Sequence, residues 1–124
     1  MNNSSISRIG VILYALVIAF FGINHFLHGT GMQNAVPRFI PYSIYVVYLT
    51  GALLIAASIA FIIGKQVRLA GLLLALFLIL IVLTVHVPSL MSSANDSHVS
   101  IAMTNLVKDT GLAAGALMIA GKGN

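Results

Sequence analysis

The sequence predicts an all-α membrane protein, a four-transmembrane-helix bundle with its N and C termini cytoplasmic. Of its 124 residues, 60% are hydrophobic and 6% are charged, whereas a typical soluble domain is about 25% charged. The mean hydropathy is +1.07. Four apolar runs each reach about the 20 residues that a membrane-spanning helix needs. Little chain remains outside the bilayer, so we expect a single domain over residues 1–124 and no soluble catalytic module.

The predicted helices cover residues 9–27, 42–64, 67–90 and 99–120. The first run is too long for the apolar region of a signal peptide and no small-residue cleavage site follows it, so we expect it to be a retained helix. Pro37 and Pro41 predict a non-helical hinge before the second helix. Only Lys65 and Gln66 separate the second run from the third, which predicts an antiparallel hairpin.

The distribution of charge predicts the topology. In a four-span layout, one side holds four basic residues: Arg8, Lys65, Arg68 and Lys122. Arg38 and Asp96 fall on the other side. Basic residues are enriched on the cytoplasmic side of membrane proteins, so both termini are predicted to be cytoplasmic. The net charge of +4 therefore reflects the membrane topology, and we expect the bilayer as a partner but no nucleic acid.

Small residues form stripes at four-residue spacing on three of the predicted helices. The longest stripe consists of Ala52, Ala56, Ala60 and Gly64. Shorter ones are Gly71 with Ala75 and Gly111 with Gly115. Small side chains let helix backbones approach closely in a membrane. We therefore expect most of these residues to build the bundle and the remainder to serve a homo-oligomer interface.

The most informative feature is the Lys108–Asp109 pair in the last apolar run. At 1.5 Å per residue, Lys108 lies about 13 Å from the predicted start of that helix, near the midplane of a core about 30 Å thick. One charge there costs about 2.5–3.5 kcal/mol on insertion scales. Asn105 shares their helical face. We therefore expect this face to look into the bundle.

Because the first and third helices are predicted to be parallel, their histidines should converge at the outer ends. The sequence therefore predicts an outward-facing pocket with histidines above a charged floor. The candidate ligand-binding residues are Asn24, His25, Tyr48, His86, Asn105, Lys108 and Asp109. The alternative is that Lys108 and Asp109 neutralise each other and fix helix register without a ligand. His86, beside Pro88, has the alternative of bonding a carbonyl freed by the break in the helix.

The composition argues against several chemistries. The chain has no cysteine, which excludes thiol–disulfide and iron–sulfur chemistry. It also has no glutamate, so it contains no H-E-x-x-H motif, and we find no serine hydrolase motif. A single histidine pair, His25 and His86, does not predict a haem, and no second-shell pattern predicts a metal. The cofactor is unknown, with a quinone as the candidate, and no catalytic residue is assigned.

Short motifs in a fixed order run through residues 10–120. They are His25-Phe26, Val36-Pro37, Phe39-Ile40-Pro41, Tyr48, Gly51, Arg68-Leu69-Ala70, His86-Val87-Pro88, Asn105-Leu106, Lys108-Asp109 and Gly111-Leu112-Ala113. In these the chain resembles the DoxX-like family of small four-helix membrane proteins. The resemblance implies a multi-pass protein of the bacterial cytoplasmic (inner) membrane. It also implies a functional field that includes quinone-linked sulfur oxidation and membrane oxidoreductase complexes.

One departure limits what the resemblance implies. Some DoxX-like proteins carry a glutamate shortly after the glycine of the second helix, where this chain reads Ala52-Leu53-Leu54-Ile55. A proton-transfer role of that glutamate is therefore not carried over.

Three functions are compatible with the sequence. The first is a redox-associated subunit whose pocket takes a quinone-like or other small amphipathic ligand. His25 or His86 would then bond a carbonyl oxygen and Lys108 would stabilise negative charge, while Asp109 would hold Lys108 charged or relay a proton. The second is a non-enzymatic assembly or structural partner of a larger membrane complex, such as an oxidoreductase. The third is a small-solute carrier acting as an oligomer.

Overall fold

The computed structural model describes residues 2–92 and 95–123, which contain helices and connections but no strand. Four long helices dominate: α1 (Asn3–Leu27), α2 (Ser43–Ile63), α3 (Val67–Met91) and α4 (Asp96–Lys122). Short helical turns at Gly29–Met32 and Gln33–Ala35 lie in the connection between α1 and α2. The observed bounds follow the predicted runs closely, except that α1 begins six residues earlier.

Three of the helices in the described ranges, α1, α2 and α3, are long and apolar enough to cross a membrane. Helix α4 is the longest of the four but is not among these three. Its polar residues Asn105, Lys108 and Asp109 lower its apolar character. The structure therefore shows an all-helical protein suited to membrane association through at least these three helices.

Polar contacts at one end of the bundle fix the relative directions of the helices. The Arg8 guanidinium of α1 donates to the carbonyls of Phe61 (2.9 Å) and Ile62 at the end of α2. The Lys122 ammonium of α4 lies 3.4 Å from the Ser7 hydroxyl. The start of α1 thus lies beside the ends of α2 and α4. We call this the basic end, and it also holds the Lys65–Gln66 turn.

Glycines allow two pairs of helices to pack with their backbones in contact. A Cβ atom on Gly51 of α2 would lie 2.9 Å from the Gly22 carbonyl oxygen of α1. A Cβ atom on Gly71 of α3 would lie 2.8 Å from the Ala116 carbonyl oxygen of α4. Both distances are too short for a real side chain. The bundle is therefore built from an α1–α2 pair and an α3–α4 pair, which pack much more closely than α2 and α3 do.

The expectation that the long alanine stripe of α2 builds the bundle is wrong. Ala52 and Ala56 are exposed, and Ala60 and Gly64 are only partly buried. The close contact at Gly51 turns a different face inward, so that the buried residues of α2 are Val47, Thr50, Gly51, Leu54, Ala57, Ser58 and Phe61.

The shorter stripes have mixed outcomes. Gly71 and Ala75 are buried as expected, and Gly115 lies against the Tyr14 ring. Gly111, in contrast, faces open space. The four-residue spacing of small residues therefore locates only part of the helix contacts.

A hydrophobic core fills the bundle between the two pairs. Its buried members are Ala15, Ile18, Leu54, Ala57, Phe61, Leu74, Ala75, Leu78, Ala113, Ala116 and Ile119. Two hydroxyls within it bond carbonyls of other helices, because the Ser58 hydroxyl donates to Ala15 (2.7 Å) and the Tyr14 hydroxyl donates to Leu112. This packed core extends toward the basic end, and a cavity lies beyond it toward the other end.

Candidate functional site

A cavity of about 380 Å³ lies between the helices at the end opposite the basic end. Its walls carry side chains from all four long helices, and the α1–α2 connection covers it through Met32, Ala35, Val36, Pro37 and Ile40. Most of the lining is apolar. Six of the seven candidate residues from the sequence line it: Asn24, His25, His86, Asn105, Lys108 and Asp109.

An imidazole–carboxylate pair forms the floor of this cavity. The His86 Nε2 atom of α3 lies 2.6 Å from the Asp109 Oδ2 atom of α4. Asp109 is buried, at 8% exposure. Because a carboxylate only accepts hydrogen bonds, the imidazole donates. Among the described residues, the His86 ring bonds the buried acid and no carbonyl freed by the break in the helix. It also lines the cavity, so its role as a ligand-binding residue stays a prediction.

A local irregularity of α3 places His86 there. Residues Val82–His86 form a π-helical turn, in which the Val87 N–H bonds the Val82 carbonyl. Pro88 lies two residues after His86 and has no N–H to donate to the preceding turn. A π-turn holds one more residue than an α-turn, so it changes the direction of the side chains that follow, and such turns are frequent at functional sites.

Lys108 is the accessible member of the charged group. Its ammonium lies 3.6 Å from the Asp109 Oδ1 atom and 4.3 Å from the centroid of the Phe21 ring of α1. Its side chain is 37% exposed, against 11% for Asp109 and 13% for His86. The ammonium thus lies between a carboxylate and the face of an aromatic ring, both of which attract a cation. Lys108 therefore brings an ammonium group to the cavity, and among the described residues none accepts a hydrogen bond from it within 3.5 Å.

His25 is held in one tautomer by its own helix. Its Nδ1 atom lies 2.6 Å from the Phe21 carbonyl oxygen, and because a carbonyl only accepts, Nδ1 carries a proton. In the neutral ring the Nε2 atom is then a hydrogen-bond acceptor. Within the described ranges, Nε2 has no hydrogen-bond partner. His25 therefore adds an acceptor to the lining of the cavity.

Two amide side chains in the lining also lack partners. Asn24 of α1 and Asn105 of α4 are partly buried, and neither side chain bonds another of the described residues. Thr50, in the same lining, is already satisfied because its hydroxyl donates to the Val46 carbonyl (2.8 Å). The two amides thus offer both donors and acceptors to a molecule in the cavity.

Tyr48, the seventh candidate, lies outside the lining. Its ring stacks on Phe26, with centroids 5.6 Å apart and planes 13° from parallel, and it packs against Gly29. His28, which the topology also predicts at this end, is exposed and does not line the cavity. His28 lies beyond His25, the last residue of α1 in the lining, and Tyr48 of α2 contacts Phe26 instead of the cavity.

The sequence did not predict two contributors to the site. One is the ring of Phe21, whose place 4.3 Å from the Lys108 ammonium depends on how the α1–α2 pair packs against the α3–α4 pair. The other is the α1–α2 connection, whose apolar side chains line the cavity. Pro37 and Pro41 predicted a hinge there but no contribution to the site. Both contributions come from apolar side chains. A search for polar residues within apolar runs therefore does not find them.

The cavity therefore combines apolar walls with an ammonium, an imidazole acceptor and two amides. This set suits a small amphipathic molecule with both hydrogen-bond acceptors and donors. In the described part of the chain, no group of three potential metal ligands comes together.

One comparison with known proteins gives a match. The model of the family described as Domain of unknown function (DUF8561) matches residues 14–120. The matched stretch includes every residue that lines the cavity. No curated protein and no solved structure matches the chain.

Proposed function

The chain belongs to the DUF8561 family, and from this premise and the site we propose that it is a redox-associated membrane subunit that binds a quinone-like or other small amphipathic ligand. The observation that carries the proposal is a cavity with largely apolar walls into which the Lys108 ammonium and three polar groups without a partner among the described residues converge. Those three groups are the His25 Nε2 atom and the amides of Asn24 and Asn105. A volume of about 380 Å³ lies within the usual range of small-molecule sites, about 300–1,000 Å³.

The polar groups complement the two ends of a quinone or hydroquinone headgroup. The Lys108 ammonium can donate to a carbonyl oxygen and favours negative charge on that oxygen. The His25 Nε2 atom can accept from a hydroxyl, and the amides of Asn24 and Asn105 can bond either group. Apolar side chains such as Phe21, Phe77 and Leu78 line the same space and suit the ring.

Asp109 has a positioning role in this proposal. It accepts from His86 and lies beside Lys108, so it orients one cation-forming group and stabilises another. Its carboxylate does not need to touch the ligand. A hydrocarbon ligand would offer no acceptor to the Lys108 ammonium beyond the Asp109 carboxylate already beside it, which favours oxygen-bearing headgroups over hydrocarbons.

The proposal also includes a membrane topology for all four long helices, beyond the three that are apolar enough to cross a membrane. We propose that α4 also spans the bilayer and that its polar face is shielded by the other helices. The basic end would lie in the cytoplasm by the positive-inside bias, so the cavity would lie toward the outer side. A bacterial inner membrane and a DoxX-like relationship are parts of the same proposal, supported by the sequence motifs.

Equilibrium titration of the purified protein in detergent tests ligand binding. The probe is a fully substituted benzoquinone with one short isoprenoid tail. We expect saturable binding, and we expect Lys108→Met to weaken it by at least about tenfold, because a hydrogen bond to a charged group is worth about 1.5–3 kcal/mol.

The matched control is Lys65→Met, which removes the same charge at the opposite end of the bundle. It should leave the dissociation constant unchanged. Binding that does not saturate, or that falls equally in both variants, would contradict the proposal. A stoichiometric partner after cross-linking in native membranes, or solute uptake by reconstituted vesicles, would then support the assembly role or the carrier role respectively.

A further inference from the structure

A second cavity, of about 630 Å³, lies at the basic end and is lined mainly by α1 and α4, with Phe61 of α2 and Val67 of α3. Its polar lining consists of Ser4, Ser7, Arg8 and Lys122. Its apolar lining includes Val11, Tyr14, Phe61, Met118 and Ile119. The cavity thus has a basic, hydroxyl-bearing part near the helix ends and an apolar part nearer the middle of the helices.

The positive charge at this end has no acidic side chain to balance it. The chain has two acidic residues, and both lie elsewhere. Asp96 begins α4 at the opposite end, and Asp109 lies beside His86 and Lys108. Arg8 and Lys122 line the cavity, and Lys65 and Arg68 lie at the same end in the turn and first residues of α3.

Both lining cations keep donors for a ligand. The Arg8 guanidinium bonds the Phe61 and Ile62 carbonyls, and a guanidinium has five N–H donors. Among the described residues, the Lys122 ammonium has one hydrogen-bond contact, at 3.4 Å to the Ser7 hydroxyl, and an ammonium has three donors. The contact to the carbonyls of α2 also holds Arg8 in place, so one cation is positioned before any ligand arrives.

We propose that this cavity binds the phosphate headgroup of an anionic phospholipid, with one acyl chain along Val11, Tyr14 and Met118. Uncompensated basic residues at a membrane surface attract anionic lipids, and basic pockets between helices bind their headgroups. The apolar continuation of the cavity is what distinguishes a lipid from a free phosphate ion. This proposal concerns the opposite end of the bundle and does not depend on quinone binding.

Native mass spectrometry of the purified protein in detergent tests the proposal. Phosphatidylglycerol or phosphatidylcholine with identical oleoyl chains is added at low molar ratio, and the one-to-one adduct is measured. We expect the phosphatidylglycerol adduct to dominate. We expect Lys122→Gln to weaken it by about fivefold, the change that follows from loss of one basic residue beside an anionic lipid.

Lys65→Gln is the matched control because it removes the same charge at the same end without lining the cavity. It should weaken binding clearly less than Lys122→Gln does if the cavity rather than general charge binds the lipid, because Lys65 does not line the cavity. Arg8→Gln is avoided as the main variant, since Arg8 also bonds the end of α2. Equal loss in the two lysine variants, or equal retention of the two lipids, would overturn the proposal.

Competition with inorganic phosphate distinguishes a site for a phospholipid from a site for a free phosphate ion. At millimolar concentration inorganic phosphate should leave the phosphatidylglycerol adduct in place, because it cannot occupy the apolar part of the cavity. Displacement of the lipid by phosphate alone would overturn the assignment to a lipid.

Discussion

The Nε2 atom of His86 lies 2.6 Å from the Oδ2 atom of Asp109, joining the π-turn of α3 to the polar face of α4. The same carboxylate lies 3.6 Å from the Lys108 ammonium. Asp109 is therefore the common partner of two groups in the cavity floor. The positive charge of Lys108 is therefore paired with a negative charge inside the bundle. Of the two side chains, the lysine is the more exposed to the cavity.

Asp109→Asn should reduce the free energy of unfolding by about 1–2 kcal/mol. This range lies between the value of hydrogen bonds to charged groups in soluble proteins and that of side-chain hydrogen bonds within membranes. Reversible unfolding in mixed detergent micelles measures it. Asp96→Asn removes the same charge from an exposed site and should have a smaller effect. Equal effects would contradict a stabilising role for the His86–Asp109 contact.

Gly115→Ala should destabilise the protein, whereas Gly111→Ala should not. A Cβ atom at position 115 would lie 2.7 Å from the Tyr14 ring, but one at position 111 would meet open space. Displacing the ring should cost about 1–3 kcal/mol. The second change should raise stability by up to about 1 kcal/mol, because alanine is the better helix former. The order of the two unfolding midpoints checks the prediction, and the reverse order would refute it.

Ala52→Leu should be tolerated, whereas Ala116→Leu should destabilise. Ala52 belongs to the exposed stripe of α2, and Ala116 is 0% exposed beside Gly71. Overpacking a buried site costs about 1–3 kcal/mol. Unfolding in micelles again gives the comparison. A large loss in the first variant would show that the stripe is covered, for instance in a homo-oligomer.

Tyr48→Phe should leave quinone affinity unchanged, although the sequence predicts Tyr48 to be a ligand-binding residue. Its ring stacks on Phe26 outside the cavity, and phenylalanine preserves that contact. Asn105→Ala removes a lining amide and should weaken binding several-fold, by about 0.5–1.5 kcal/mol for one hydrogen bond. A Tyr48→Phe variant that binds as poorly as Asn105→Ala would contradict the placement of the site.

The long helices and the gathering of polar residues could be predicted because both depend on simple patterns. Apolar runs of sufficient length define helix bounds, and the alternation of direction brings His25, His86 and Lys108 toward one space. A charged side chain that faces lipid has a high free-energy cost. The inward orientation of charged residues within an apolar run can therefore be predicted from this cost.

The rotation of each helix about its axis could not be predicted in the same way. The Ala52–Gly64 stripe looked suitable for packing, but the contact between Gly22 and Gly51 determines the buried face of α2. The π-turn before Pro88 likewise changes the direction of His86, and Tyr48 turns to Phe26 instead of the cavity. Such details depend on which surfaces fit one another, and the spacing of residues within one helix does not contain that information.

Thiol protection at Asn105→Cys tests the central claim most directly, because the natural chain has no cysteine. The rate of modification by a small maleimide is measured with and without the fully substituted benzoquinone, which has no free ring position for thiol addition. His98→Cys, at an exposed position on the same helix, is the control. We expect saturating quinone to slow modification at position 105 several-fold and to leave position 98 unchanged. Equal rates at position 105 with and without quinone would contradict binding in this cavity.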